Sequence, residues 1–224
     1  MAAGEATRIR GPDARTTFLG AAAGALGLFG AIAAAMLTGV VAGWDRTVFG
    51  SLYSGDSDWP LGPTPGQGSA LLQEIVPALY WLADTRKLVL AIAAVAALLA
   101  ARRRFRAAAF YLGCVAAAGA SVLLKPLFER SSPFPATSEF SFPSGHAMLS
   151  MSMVAGLVLL ALGRPWLWPV AVAGALLVGA VAVAVVADGG HWPSDVAAGW
   201  TLALAWALAL RGFAGDPLAG GGRS

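Results

Sequence analysis

The sequence has 224 residues, 58% of them hydrophobic and 12% charged, with a net charge of +3 and a mean hydropathy of +0.70. Soluble domains carry about 25% charged residues, so these values exclude an ordinary water-soluble globule and make lipid the bulk solvent. The basic residues cluster at the ends of apolar runs and not on one polar face, which argues against a nucleic-acid partner.

A core in lipid is built from helices or closed barrels. The runs are rich in Ala, Leu, Val and Gly and do not alternate with period two, so an all-α polytopic membrane protein is expected. A polar leader at 1–17 contains Glu5 and Asp13 and reads as a cytoplasmic tail. The apolar run after it exceeds the roughly 7–15 residues of a signal sequence and reads as an uncleaved first span. Six spans are expected, at 18–43, 88–101, 107–124, 147–163, 167–187 and 196–210. They make one membrane domain, 18–211, followed by a flexible cytoplasmic tail, 212–224, that includes Gly220 to Gly222. Within the domain, 44–86 is expected to be an extracytoplasmic loop. It holds a turn-rich stretch with Pro60, Pro63 and Pro65, then an amphipathic segment interrupted by Pro77 that carries Gln73 and Glu74.

Placing both tails in the cytoplasm puts ten Lys and Arg residues inside against five outside, with Arg102, Arg103, Arg104 and Arg106 on the inner side. The positive-inside rule favours that orientation. It also sends 125–146 and 188–195 to the same outer side, where their polar residues can share one pocket. Trp44, Trp59, Trp81, Trp166, Trp168, Trp192 and Trp200 fall near span ends and read as an interfacial belt. The single cysteine, Cys114, lies in an apolar run and reads as a small core residue.

Only two histidines occur, and each sits beside a Pro-Ser pair at the end of an apolar run. The first ends Phe142-Pro143-Ser144-Gly145-His146; the second opens His191-Trp192-Pro193-Ser194-Asp195. Histidine titrates nearest neutral pH and serves as proton shuttle and nucleophile. Ser144 and Gly145 precede a helix start, whose free N–H groups and dipole attract an anion, although Ser144 also suits a simple helix cap. Asp195, four residues after His191, can accept the imidazole Nδ1–H and leave Nε2 free to attack. Lys125 and Arg130 lie at the outer edge of the third span with Glu129 between them, and cations there also suit lipid head groups.

Lys125, then Pro143-Ser144-Gly145-His146, then His191-x3-Asp195 resembles the type 2 phosphatidic acid phosphatase superfamily, membrane lipid phosphatases related in fold to the vanadium haloperoxidases. The resemblance implies the six-span layout with an outward-facing site at the helix ends. It implies that Lys125 binds phosphate and that Ser144 and the Gly145 amide hold its oxygens. It makes His146 the general acid and His191 the nucleophile that forms a phosphohistidine, oriented by Asp195, with no metal or other cofactor.

The family pattern is Lys-x6-Arg-Pro, Pro-Ser-Gly-His and Ser-Arg-x5-His-x3-Asp. This chain has Ser132 at the first arginine position and Ala184-Val185 in place of Ser-Arg. One lost phosphate clamp typically costs a few kcal/mol of transition-state stabilisation. Arg130, two residues upstream, is the expected substitute. Glu129 and Asp188 are accessory candidates, Asp188 as an ion-pair partner of Arg130 or Lys125 or as a cation ligand.

The expected activity is hydrolysis of a lipid phosphate or polyprenyl diphosphate in a bilayer, with the bacterial inner membrane suggested by the Ala- and Gly-rich composition. The alternatives are a phosphotransferase or phosphodiesterase with a modified anion pocket, and a non-catalytic lipid head-group binder. A serine protease built on Ser144 leaves Asp195 without a role, and a metal site of His146, His191, Asp188 and Asp195 is not needed to explain the motifs.

Overall fold

The computed structural model describes residues 13–52, 70–133 and 140–218. Expectations that fall elsewhere, including Pro60, Pro63, Pro65, Trp59, residues 1–12 of the N-terminal tail and residues 219–224 of the C-terminal tail, lie outside the described residues. Among the described residues the fold is all helical: α1 (Ala14–Leu37), α2 (Ala42–Leu52), α3 (Ala70–Ala83), α4 (Thr85–Ala101), α5 (Phe105–Val115), α6 (Ala120–Phe128), α7 (Gly145–Ala161), α8 (Leu167–Ala187) and α9 (Pro193–Ala214). A short 3-10 turn, Ala116–Gly119, joins α5 to α6, so the two run as one rod, Phe105–Phe128.

Among the described residues, four helices are long and apolar enough to cross a membrane: α1, the α5–α6 rod, α8 and α9. The second and fourth expected spans correspond to α4 and α7, each 17 residues long, just under the roughly 20 residues of a perpendicular span. Several expected ends were too tight. Asp13 caps α1 by accepting from the Thr16 N–H at 2.7 Å, which starts that helix before the apolar run. The rod carries Lys125 within its last turn, and Pro193, favourable at a first helical position, starts α9 three residues before the expected span. The largest departure is α2, where a turn-rich polar stretch was expected from Trp44 onward.

α7 is the hub, touching α4, α5, α6, α8 and α9, while α1 lies along α9 and α3 against α8. Most of α7 is buried, through Ala147, Met148, Ser150, Ser152, Met153, Ala155, Gly156 and their neighbours. Small residues let helices approach closely where lipid offers no hydrophobic drive for association. Gly199 of α9 shows how closely: a Cβ there would lie 2.8 Å from the Ser144 carbonyl oxygen and 3.1 Å from the Ala147 Cβ. The outer faces of α1 and α8 instead expose Leu26, Leu28, Leu37, Val172 and Leu176, as lipid-facing surfaces do.

Candidate active site

The end of α6, the start of α7, the end of α8 and the start of α9 meet at one end of the bundle, together with the α3–α4 junction. They enclose a cavity of about 530 Å³ whose wall includes Lys125, Gly145, His146, Val185, Asp188 and His191. Tyr80, Thr85 and Ser121 complete its polar lining. The two imidazole rings face each other across it, 6.5 Å apart and near-perpendicular.

His146 is the second residue of α7 and half-buried. Its Nε2 is 2.9 Å from the Thr85 hydroxyl at the start of α4. Ser144 is fully buried and caps α7, its hydroxyl accepting from the Ala147 N–H at 3.4 Å. Gly145 reaches the cavity wall instead, close against Ser121, where a Cβ would stand 3.1 Å from the serine oxygen.

His191 lies outside any helix, in the loop between α8 and α9, and is buried. Its Nδ1 sits 2.9 Å from the Ser141 carbonyl oxygen. A carbonyl only accepts, so Nδ1 is the donor, and in the neutral ring Nε2 carries the lone pair. This corrects the expected contact: Asp195 Oδ2 is 3.9 Å from Nδ1. Because α9 begins at Pro193, the Asp195 carboxylate turns to the helix start, where Oδ2 accepts from the Trp192 N–H at 2.8 Å.

Arg130 also stands elsewhere than expected. Its guanidinium lies behind His191 and does not form part of the cavity wall. Nη1 donates to Ser194 Oγ and to Asp195 Oδ1, both at 2.6 Å, and Nη2 donates to Asp45 Oδ2 at 2.5 Å. Asp45, on α2, is 1% exposed. Its Oδ1 accepts from the Ser194 N–H at 2.9 Å and its Oδ2 from the Ser194 hydroxyl at 2.7 Å. A buried arginine is stable only when its donors are matched, and two carboxylates match them here. Asp45 carried no sequence signal: it stands alone, outside any motif, 85 residues before Arg130.

Glu129 is exposed and ends α6 in the left-handed conformation (φ 46°), outside the cavity wall. Ser132 is buried and does not line the cavity. Val185 occupies the wall and its carbonyl accepts from the His191 N–H at 3.2 Å. Among the described residues, then, no arginine lines the cavity, and Lys125 is its one lysine. Asp188, just past α8, has its carboxyl pushed above the usual range by partial enclosure, against the opposing pull of His191. Its charge in turn raises the Tyr80 hydroxyl, helped by burial and by Asp84. No group of three or more His, Cys, Asp or Glu among the described residues could hold a metal ion.

A sequence model of the PAP2 superfamily matches residues 107–216, the stretch that holds Lys125 and both histidine motifs. Residues 107–216 thus belong to the type 2 phosphatidic acid phosphatase (PAP2) superfamily. It is 42% identical over 69 residues to an undecaprenyl-diphosphatase of Sulfolobus acidocaldarius, a stretch that is 30% of this chain and 31% of that protein. The match thus spans less than a third of that relative. The fold is similar to the crystal structure of a transmembrane PAP2-type phosphatidylglycerolphosphate phosphatase from Bacillus subtilis, with a TM-score of 0.67. That likeness covers 86% of this chain and 94% of the other at 22% identity. The apolar helices and this PAP2 fold make the chain an integral membrane protein.

Proposed function

We propose that this PAP2 protein hydrolyses a lipid phosphate or prenyl diphosphate through a phosphohistidine on His191. The observation that carries the reading is the pair of imidazoles facing each other across one cavity beside Lys125. Reacting atoms in a near-attack geometry lie about 3–3.5 Å apart, so a phosphorus centre between the rings can approach both.

In this reading the His191 Nε2 lone pair attacks phosphorus, and the N–P bond forms as the bond to the leaving oxygen breaks, the lipid oxygen of a monophosphate or the bridging oxygen of a diphosphate. His146 gives that oxygen a proton. Water, deprotonated by His146, then attacks the phosphohistidine, releasing phosphate and neutral His191. Lys125 neutralises the phosphoryl oxygens and the α7 N-terminus at Gly145 adds its dipole. The six-span layout, cytoplasmic tails, outward-facing site and bacterial inner-membrane location belong to the same proposal. The relative named as a diphosphatase favours a prenyl diphosphate as the first substrate to try.

A second reading has its own support. With Val185 and Asp188 in the wall and no arginine there among the described residues, the cavity suits a phosphate of lower charge, as in a phosphodiester hydrolase or phosphotransferase.

One experiment separates these readings. Purified wild type and His191→Ala are offered a lipid monophosphate, a prenyl diphosphate and a lipid phosphodiester in detergent, and the products are measured. Release of inorganic phosphate from either of the first two by wild type alone supports the phosphatase. Turnover of the diester alone moves the function to the second reading. Lipid binding without turnover of any of them leaves a non-catalytic binder.

A further inference from the structure

We propose that Asp45 is a positioning residue for His191, acting through Arg130, so that α2 sets the aim of the nucleophile. The inference rests on the reading of His191 as nucleophile, and it involves a residue outside the stretch that matches the PAP2 superfamily.

Two routes run from the Asp45 carboxylate to the imidazole. The first passes through the arginine. Asp45 Oδ2 accepts from Arg130 Nη2 and so fixes that residue's orientation. The Arg130 carbonyl accepts from the Ser141 N–H at 2.8 Å, and the Ser141 carbonyl holds His191 Nδ1 at 2.9 Å. The second passes through the start of α9. Asp45 binds both the N–H and the hydroxyl of Ser194, while Asp195 holds the Trp192 N–H, next to His191. One carboxylate therefore braces the loop that bears His191 and the segment that supplies its backbone acceptor. One turn beyond Asp45, the Phe49 ring lies 5.4 Å from that of Trp192, which packs α2 against the same loop.

The charges agree with this arrangement. Arg130 spans two carboxylates from different helices, α2 and α9, and a planar two-pronged cation is suited to that task where a lysine is not. Without Asp45, Nη2 and the Ser194 N–H would both lose their acceptor in a buried place. The loop would then rearrange to satisfy them. A displacement of about 1 Å at a reacting group costs about 10²-fold in rate.

The two-histidine composition makes a direct test available. In a His146→Gln background His191 is the sole histidine, so ¹⁵N ring spectra of the full chain in detergent report its tautomer, at a pH where the ring is neutral. With Asp45 present, a single Nδ1–H tautomer is expected. Asp45→Asn is expected to give a mixture of tautomers. In the otherwise native chain it should lower kcat about 10²-fold with KM changed less than about threefold. Adding Asp45→Asn to Arg130→Gln should cost less than the sum of the two single effects, because the two residues share the route through the arginine. An unchanged tautomer with kcat within about threefold of wild type overturns the inference and leaves Asp45 a structural residue only. If Asp45→Asn does not fold, Arg130→Lys takes its place: it keeps the charge but loses the two-pronged span, and an intact single tautomer there is equally contrary. If wild type releases no phosphate from any lipid, the phosphatase reading fails, and the ring spectra still decide the role of Asp45.

Discussion

The cavity wall and the layer directly behind it handle charge in opposite ways. The wall offers an anion Lys125, two imidazoles and a helix start, set beside Val185 and the acidic Asp188. The layer behind holds Asp45, Arg130, Ser194 and Asp195 in a closed set of hydrogen bonds between 2.5 and 2.9 Å. An arginine is present near the site, but it is engaged by carboxylates beside the loop that bears His191. The difference teaches that a cation next to a pocket need not face it: here the arginine joins a buried carboxylate network, and among the described residues the wall keeps a lysine alone. It also divides the expected effects of substitution, since wall residues act on the phosphoryl group and residues behind it act on the position of His191.

The largest expected effect sharpens the wall side. In the proposed mechanism His191→Ala removes the nucleophile and should lower turnover by more than about 10⁴-fold, read as phosphate release under saturating substrate. In the same mechanism His146→Gln removes the general acid and should cost about 10²–10⁴-fold with a lipid alkoxide leaving group. It should cost much less with an activated aryl phosphate, whose leaving group needs no proton. Equal losses on both substrates would break the assignment. Lys125→Met should lower kcat/KM about 10²–10³-fold, because among the described residues no arginine lines the wall to replace it.

The seam between wall and backing is tested by Gly199→Ala. Its Cβ would press on the Ser144 carbonyl, which belongs to the backbone that starts α7. Overpacking of this kind costs about 1–3 kcal/mol, visible as a lower melting temperature in detergent.

The smallest effect comes from Asp188→Asn and depends on pH. The Asp188 carboxyl is raised above its ordinary value by enclosure, so its negative charge appears as pH rises through that raised value. Below it, variant and wild type should have similar kcat/KM for a phosphate monoester. Above it, the variant should be several-fold better, because the charge that repels the substrate is gone. A ratio that stays flat across the titration would remove Asp188 from the anion site.

The helical class and most of the helices were legible because lipid exposure leaves long apolar runs. The two histidines and Asp195 were legible because each stands in a short motif beside Pro and Ser. Helix α2 was not, since Asp45, Arg46 and Thr47 break the apolar pattern there, and the helix is held by a buried ion pair with a residue far along the chain. The partner of His191 Nδ1 was missed for a different reason. An i, i+4 contact presumes a helix through both residues, but α9 starts after His191 and turns Asp195 to the Trp192 N–H. The acceptor that replaces it is a backbone carbonyl, a group that every residue carries and no motif marks. Arg130 was legible as a nearby cation, but only the position of Asp45 shows which way it faces.

The most direct test of the central claim is to look for the phosphoryl group on the enzyme. Purified protein would be mixed with a ³²P-labelled activated aryl phosphate, quenched in alkali and mapped by peptide, for wild type, His146→Gln and His191→Ala. The account predicts label on the peptide that contains His191, more of it in His146→Gln because water attack is slowed, and none in His191→Ala. Substrate turnover by wild type with label absent from both active proteins, or label that persists in His191→Ala, would contradict it.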